Sequence, residues 1–362
     1  MDVVLVKNIL TEISGERTFF NSMSAKLTES LEKQGSHTHH CAVPSKWWTD
    51  HYLRFPLLPR TYACLRKFES CDILHFLNAS LAGAGPFLKN RSKIATVHQL
   101  GDSLGRLSPA KGPLGHAETL YRCSLKAADK RIYRSMDIIV ACSPYQAQDL
   151  QTTYGIDKSK MRVISPGVDT RYCRKIRGTD LKSRFDCDEV IVYAGRHHER
   201  SKGISYLIRA MKHIRRKGAK LVLTGDGPDR KNYEELTHQL GLDDRVVFLG
   251  HVSFAEKTAI QKSADVVAVP SLYDVFCISF AESLACETPV VAFDQPFWKG
   301  IYDDAALFVE KSPEALAEGI EKVLDDKNLR KKLVQKGRAV AENNDIGNTV
   351  HAYTDLYREL SA

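Results

Sequence analysis

Residues 264–293 read ADVVAVPSLYDVFCISFAESLACETPVVAF. The run 265–269 is short, apolar and β-branched, and it stops at Pro270-Ser271. That pattern predicts a buried strand closed by a turn. A second such run spans 289–293, and between the two, residues 278–286 carry small and apolar side chains at helix-compatible spacing without Gly or Pro. Strand, loop, helix, strand is one right-handed crossover unit of a parallel sheet. Ligands of such sheets sit beyond the carboxyl ends of the strands, so the loop 271–277 is expected to face a cleft. Two carboxylates flank it, Asp274 on the loop and Glu282 one turn into the helix. The backbone N–H groups of Phe276, Cys277 and Ile278 fall at the helix N-terminus, where unpaired donors and the macrodipole favour an anion. An anion cradle between two carboxylates able to accept from hydroxyls suits a sugar diphosphate.

Two acids flanking seven residues, then a small-residue helix and TPVVA, resemble the E-x7-E region of retaining GT-B glycosyltransferases of the family 4 type. The chain departs from that pattern in three places. Asp274 stands where the first Glu is usual, Val275-Phe276-Cys277 where Gly-Phe-Gly is usual, and Glu287 where a Gly is usual. The resemblance implies an α/β, GT-B fold, two doubly wound Rossmann-like domains facing across a cleft. It places an acceptor-side domain at 1–168, a nucleotide-sugar-binding domain at 169–345, and a last helix at 346–362 that crosses back to the first domain.

The chain has 362 residues, 43% hydrophobic and 27% charged, enough for two globular cores. No run approaches the ~20 apolar residues of a membrane span. The opening MDVVLVKNIL has no basic n-region or small-residue cleavage site, so it reads as a first strand and not as a signal peptide. Nine scattered cysteines form neither a disulfide framework nor CxxC metal spacing, which points to reduced thiols in a cytoplasm. The net charge of +8 is uneven: residues 1–165 hold 22 Lys+Arg against 14 Asp+Glu, and residues 166–362 hold 30 of each. A basic first half suits anionic lipid or a phosphorylated substrate. No zinc-finger, RNP or Arg/aromatic pattern accompanies it, so nucleic acid is not an expected partner.

Taken in order, 2–6 reads as a strand, 7–16 as a loop with Gly15 free to approach a phosphate, and 17–33 as an amphipathic helix. A strand at 37–43 is followed by Trp47-Trp48 with Arg54, Phe55, Leu57 and Leu58, a core cover or else a membrane-interface patch. Strands at 72–77 and 94–97 come next. His98 ends the second, before Gln99, Leu100, Gly101 and Asp102, and TVHQL resembles the family's TVHD, whose His lies near the transferred sugar. The helix 116–135 carries Arg122, Lys126, Lys130, Arg131 and Arg134, a solvated face or a surface for a membrane or acceptor. A strand at 137–141 and a helix from Pro144 lead through 161–165 to Pro166-Gly167-Val168-Asp169, which matches the family's PGVD at the domain crossing. The polar stretch 170–188 reads as a linker.

The second half opens with a strand at 189–194 and Gly195-Arg196, then a loop, Lys202-Gly203 and a helix over 204–217. Arg grips diphosphate oxygens bidentately and Lys supplies a compact charge. In the family these two hold the diphosphate and stabilise the leaving group. A strand at 219–224 with GDGP, and 245–249 with Gly250-His251-Val252, resemble the family's GDGP turn and the LGHV loop that contacts the base. His197 and His198 read as loop residues. The D-x-D at 186–188 sits in the linker, so no metal or other cofactor is expected. The segment 294–300 replaces the family's Gly-rich turn and Pro-Glu and is expected to shape the sugar pocket. DDAALFVE at 303–310 and the helix from Pro313 follow the family pattern.

No Ser-His-Asp or Cys-His pair with supporting context points to a covalent nucleophile. The resemblance therefore implies retaining transfer from a nucleotide sugar to a glycan or lipid-linked hydroxyl. Arg196 and Lys202 would stabilise the diphosphate, Glu282 would grip the ribose, and Asp274 and His98 would meet the transferred sugar. Gly15, Gly195, His251, Val252, Phe276, Cys277 and Ile278 would complete the donor site. The expected setting is cytoplasmic, with peripheral attachment to an anionic membrane face. A nucleotide-sugar epimerase or phosphorylase is the rival within the fold, and a catalytically silent binding subunit is the rival outside enzymes. Joint retention of His98, Arg196, Lys202 and Glu282 speaks against the silent subunit.

Overall fold

The computed structural model describes residues 1–10, 15–45, 58–90, 92–98 and 113–362. Side chains are described for the same residues except 7–10, 15–21, 43–45, 58–61, 80, 113–122 and 125. Trp47, Trp48, Arg54, Phe55, Leu57 and residues 99–102 therefore lie outside the described residues, as do the side chains of Leu58 and Arg122.

Two units carry the chain, Met1–Pro166 with Gly347–Ala362, and Gly167–Ile346. In the first unit, β1 (Asp2–Leu10), β2 (His37–Ser45), β3 (Ile73–Phe76), β4 (Ser92–Val97), β5 (Ile138–Ala141) and β6 (Met161–Val163) form one sheet. Its order is β2-β1-β3-β4-β5-β6, with every pairing parallel. β3 and β5 are buried along their length, as strands covered by helices on both faces must be. β1 runs on to Leu10, so the expected loop at 7–16 is shorter, and Gly15 opens the helix Gly15–Glu32.

The last helix, Ile346–Ser361, belongs mostly to this first unit and is fixed to its sheet by a buried polar relay. Nδ1 of His75, on β3, lies 2.5 Å from the Tyr357 hydroxyl, and its Nε2 lies 2.8 Å from the Thr96 hydroxyl on β4. Thr96 in turn meets the Tyr353 hydroxyl at 2.9 Å. All four side chains are buried.

In the second unit, β7 (Glu189–Ala194), β8 (Ala219–Thr224), β9 (Val246–Gly250), β10 (Val266–Val269), β11 (Val290–Phe293) and β12 (Leu307–Val309) form a parallel sheet ordered β12-β11-β10-β7-β8-β9. The direction of strand progression reverses between β7 and β10, and at such a switch point loops diverge to opposite faces and leave a crevice. Residues 266–293 form the expected unit: β10, the helix Ile278–Ala285 and β11.

Two expectations fail locally. The stretch 170–188 is not a linker but two short helices, Thr170–Lys175 and Leu181–Phe185, whose first turns are capped by Asp169 and Asp180 and which bury Cys173 and Leu181. The helix expected over 204–217 is shortened to Ile204–Ala210, and a separate short helix, Glu199–Lys202, stands in the loop before it. Lys212 and His213 N–H bond Arg209 and Ala210 at i−3, and Arg215 N–H goes to the Glu321 carboxylate, so the α-helical ladder is not continued.

Tyr357→Phe leaves the buried His75 Nδ1 without its partner, which costs about 1–3 kcal/mol. The melting temperature of the intact chain is expected to fall by several degrees. An unchanged melting curve contradicts the anchoring role of the relay.

Candidate active site

Candidate residues gather at the β7/β10 switch point of the second unit. Beyond β7, the turn 199–203 carries Lys202, and beyond β10, the loop 271–277 carries Asp274. The two are stitched together by backbone: Leu272 and Tyr273 N–H both donate to the Ser201 carbonyl, at 2.9 and 3.1 Å. Gly203 makes this approach possible. Its φ is +59°, and a Cβ there would stand 2.5 Å from the Pro270 carbonyl oxygen. Gly225 serves the neighbouring GDGP turn in the same way, since a Cβ would lie 2.0 Å from the Gly195 carbonyl oxygen.

With the turns so fixed, the Lys202 ammonium forms an ion pair with Asp274 Oδ2. Asp274 Oδ1 accepts from the N–H groups of Val275 (2.8 Å), Cys277 (3.1 Å) and Phe276 (3.4 Å). This corrects the expected anion cradle: the donors of Phe276 and Cys277 face the chain's own carboxylate. The reason is side-chain length, because an aspartate folds back onto the N–H groups that follow it. Burial pushes the Asp274 carboxyl up, but Lys202 and the N–H donors outweigh it and hold it below its ordinary value. Burial likewise works against the Lys202 ammonium, and the Asp274 carboxylate more than offsets it, leaving its pKa raised.

Glu282 is 4% exposed, and Lys257 Nζ donates to its Oε2 at 2.6 Å. Lys257, on the helix Phe254–Ser263, was not among the residues singled out from sequence, where it reads as one more surface lysine. Cys277 holds φ +57° and Glu287 φ +62°, the left-handed conformation for which glycine is the usual residue. Burial and then Asp274 push the Cys277 thiol up to about 11, so it stays protonated.

Within 294–300 two aromatic side chains pack inward while Asp294, Pro296, Lys299 and Gly300 are exposed. Trp298 and Phe297 are 2% exposed, and Trp298 Nε1 donates to the Phe293 carbonyl at 3.0 Å. Tyr302 stacks on Phe280 at 4.0 Å, and its hydroxyl bonds the carbonyls of Phe276 (2.6 Å) and Cys277 (3.3 Å). The loop's backbone is thereby held from beneath by an aromatic cluster, a contribution the sequence reading assigned only as a pocket-shaping loop.

Arg196 is exposed just past β7 and Gly195, its carbonyl accepting from the Tyr193 hydroxyl at 3.0 Å. His251 is exposed and Val252 half-buried beyond β9. His197, read as a loop residue, does lie on the loop after β7, and it is buried among Tyr193, Tyr233 and Phe248. Burial lowers it to about 4. His98 belongs to the first unit, at the end of β4, with Nδ1 3.4 Å from Cys142 Sγ beyond β5. Burial lowers it to about 4, a bond to the Leu77 backbone opposing. It is a neutral imidazole near pH 7.

Residues 182–340 match the family model described as Glycosyl transferases group 1, and residues 22–172 the one described as Glycosyltransferase Family 4. An uncharacterized glycosyltransferase of Methanocaldococcus jannaschii is 30% identical over 243 residues, 62% of either chain. A D-inositol 3-phosphate glycosyltransferase of Xylanimonas cellulosilytica is 29% identical over 249 residues, 64% of this chain and 59% of that one. The chain spans less than two thirds of the length of these curated relatives. Among solved structures, sucrose-phosphate synthase of Thermosynechococcus elongatus is similar with a TM-score of 0.81 at 20% identity, covering 99% of both chains. The fold is α/β with two Rossmann-like domains, of the GT-B type.

Two buried histidines, His75 and His197, and the half-buried His98 generate a pH prediction. His98 and His197 protonate only near about 4 and His75 near about 3 in the folded chain. An unfolded histidine takes its proton near ~6.5, so the stability these groups contribute is fully present above that pH and is lost as pH falls toward 4. Each adds a slope of up to ~1.4 kcal/mol per pH unit in that window. Urea midpoints are expected to be level from pH 8 to 7 and to drop steeply from 6.5 to 5. A midpoint constant down to pH 5 contradicts the buried neutral state.

Proposed function

The chain belongs to the glycosyltransferases of the group 1 and family 4 type, and we propose that it transfers a sugar from a nucleotide-sugar donor to an acceptor hydroxyl with retention of anomeric configuration. The observation that carries this reading is the backbone-stitched meeting of the Lys202 turn and the Asp274 loop at the switch point, with Glu282 on the helix that follows. A nucleoside diphosphate laid across a switch point would meet this combination of ammonium and carboxylates.

In the proposed reaction the bond from the anomeric carbon to the diphosphate oxygen breaks while the acceptor oxygen bonds to the same face. The acceptor proton passes to the departing phosphate. Arg196 and Lys202 stabilise the negative charge that develops there, so no metal is invoked. Glu282 accepts from the ribose hydroxyls. Asp274 serves the transferred sugar. For Lys202 to reach the diphosphate, phosphate oxygens must share or take the place of Asp274 on its ammonium.

Arg196→Ala and Lys202→Ala are each expected to lower turnover ~10²–10³-fold, the usual cost of one charge contact to a developing anion. The assay follows release of nucleoside diphosphate, on a donor first chosen by thermal stabilisation with a panel of nucleotide sugars. Near-normal turnover in both variants refutes the leaving-group assignment. Donor binding without any turnover favours the silent binding subunit.

The acceptor is proposed to be anionic or displayed on a cytoplasmic membrane face, as a lipid-linked phosphate or a growing glycan. No helix among the described residues is long and apolar enough to cross a membrane. The helix Pro113–Arg134 presents Arg131 and Arg134 to solvent, with Lys126 and Lys130 half-buried. Attraction to anionic lipid amounts to about 1 kcal/mol per nearby Lys or Arg and is screened by salt. Co-sedimentation with phosphatidylserine vesicles is expected at low salt, and to be lost at high salt or when Lys126, Arg131 and Arg134 are replaced by Gln. Binding indifferent to both changes leaves a soluble acceptor as the better reading.

A further inference from the structure

Glu282 sits on the helix Ile278–Ala285, whose neighbour is the helix Phe254–Ser263. The two are locked side by side by Gln261, whose Nε2 donates to the Ser279 carbonyl (2.9 Å) and the Ser283 hydroxyl (2.8 Å). Lys257 is four residues before Gln261 and so shares its face. Its ammonium reaches Glu282 Oε2 at 2.6 Å and lies 5.0 Å from the Phe254 ring centroid, and Phe254 stacks on Tyr172 at 5.2 Å. The cation is thus fixed from two sides. Among the described residues Glu282 Oε2 bonds Lys257, while Oε1 takes no bond from them. A buried carboxylate with one oxygen tied to a fixed cation has a defined orientation, and its second oxygen is left to accept from a ligand.

We propose that Lys257 is a positioning residue for the nucleotide ribose: it keeps Glu282 turned so that Oε1 accepts from a ribose hydroxyl. The proposal rests on the donor-site reading above. It goes beyond that reading by making discrimination between ribose and deoxyribose a property of the Lys257–Glu282 pair. Replacing Lys257 by an apolar side chain of like length leaves a buried carboxylate without its cation and without a fixed orientation.

The test measures dissociation constants of UDP, GDP and their 2′-deoxy counterparts for the full chain at pH 6, 7 and 8. The wild type is expected to favour the better-bound ribonucleotide over its deoxy form by roughly tenfold or more, the worth of one charge-assisted hydrogen bond, at all three pH values. In Lys257→Met the ratio is expected to collapse toward one, while deoxynucleotide affinity changes little. Lys257→Arg keeps the cation and is expected to restore the ratio. Should Lys257→Met fail to fold, the double variant Lys257→Met/Glu282→Gln removes the unpaired charge, and its ratio is expected to stay collapsed in a folded protein. A wild-type ratio in Lys257→Met, or in the double variant, overturns the proposal. Equal loss of ribo- and deoxynucleotide affinity overturns it too, by showing a merely structural role. If the wild type binds neither UDP nor GDP, the donor-site reading fails and this proposal falls with it.

Discussion

A helix that begins inside a protein leaves its first N–H groups without intrahelical partners, and a lysine held in the same place needs a counter-charge. In the second unit one carboxylate, Asp274, meets both demands. Its Oδ1 receives three successive backbone donors and its Oδ2 receives Lys202. Stripping either partner from a mostly buried ion pair leaves an uncompensated charge, typically worth about 3–5 kcal/mol. The geometry around it follows from that constraint. Gly203 allows the Lys202 turn to approach, Ser201 accepts the two N–H groups that align the loop, and the switch point brings both strand ends to the same place.

The same constraint accounts for two residues that break the local rules. Cys277 and Glu287 bracket the helix Ile278–Ala285 and both hold positive φ, which costs a side-chain-bearing residue roughly 1–2 kcal/mol each. The surroundings offset it. The Tyr302 hydroxyl bonds the carbonyls of Phe276 and Cys277, and Asp274 accepts from the N–H groups of the same two residues. At the other end Glu287 N–H goes to Leu284 and Thr288 N–H to Ser283, the paired bonds of a Schellman cap. The Glu287 carboxylate also stands 3.7 Å from Arg338. The glycines usual in the resembling family are thus replaced without loss of the backbone they favour.

The apolar runs made the parallel sheet legible, because strands buried on both faces must be continuous in β-branched and apolar residues; β7 and β8 fall where the runs lie. What sequence misjudged turned on single hydrogen bonds. Polarity made 170–188 look like a linker, yet Asp169 and Asp180 cap helices there. Apolar spacing carried the helix after Gly203 past Ala210, where the backbone instead turns to Glu321. His197 sits on a loop as its sequence reads, but the three aromatic rings that enclose it come from separate parts of the chain and were not legible. At the candidate site, the carboxylates and Lys202 were readable from spacing. The self-capping of Asp274 was not, because it follows from the reach of one side chain. Nor was Lys257, which matters only through a helix facing it.

Charge is apportioned accordingly. The stretch 166–362 is neutral overall, with 30 basic and 30 acidic residues, and its central charges come as tight pairs, Lys202 with Asp274 and Lys257 with Glu282. Paired buried charges are pre-set and pre-oriented, the condition under which electrostatics can act on a developing anion without reorganisation. The first unit differs. Its site candidate, His98, is neutral because burial holds it near about 4, and its buried relay through His75 is uncharged as well. The excess of eight positive charges in 1–165 therefore resides elsewhere than on these histidines, and Arg131 and Arg134 stand exposed on one helix. Such exposed charge adds little to folding, but its field reaches about a Debye length into solvent, where it selects for anionic partners.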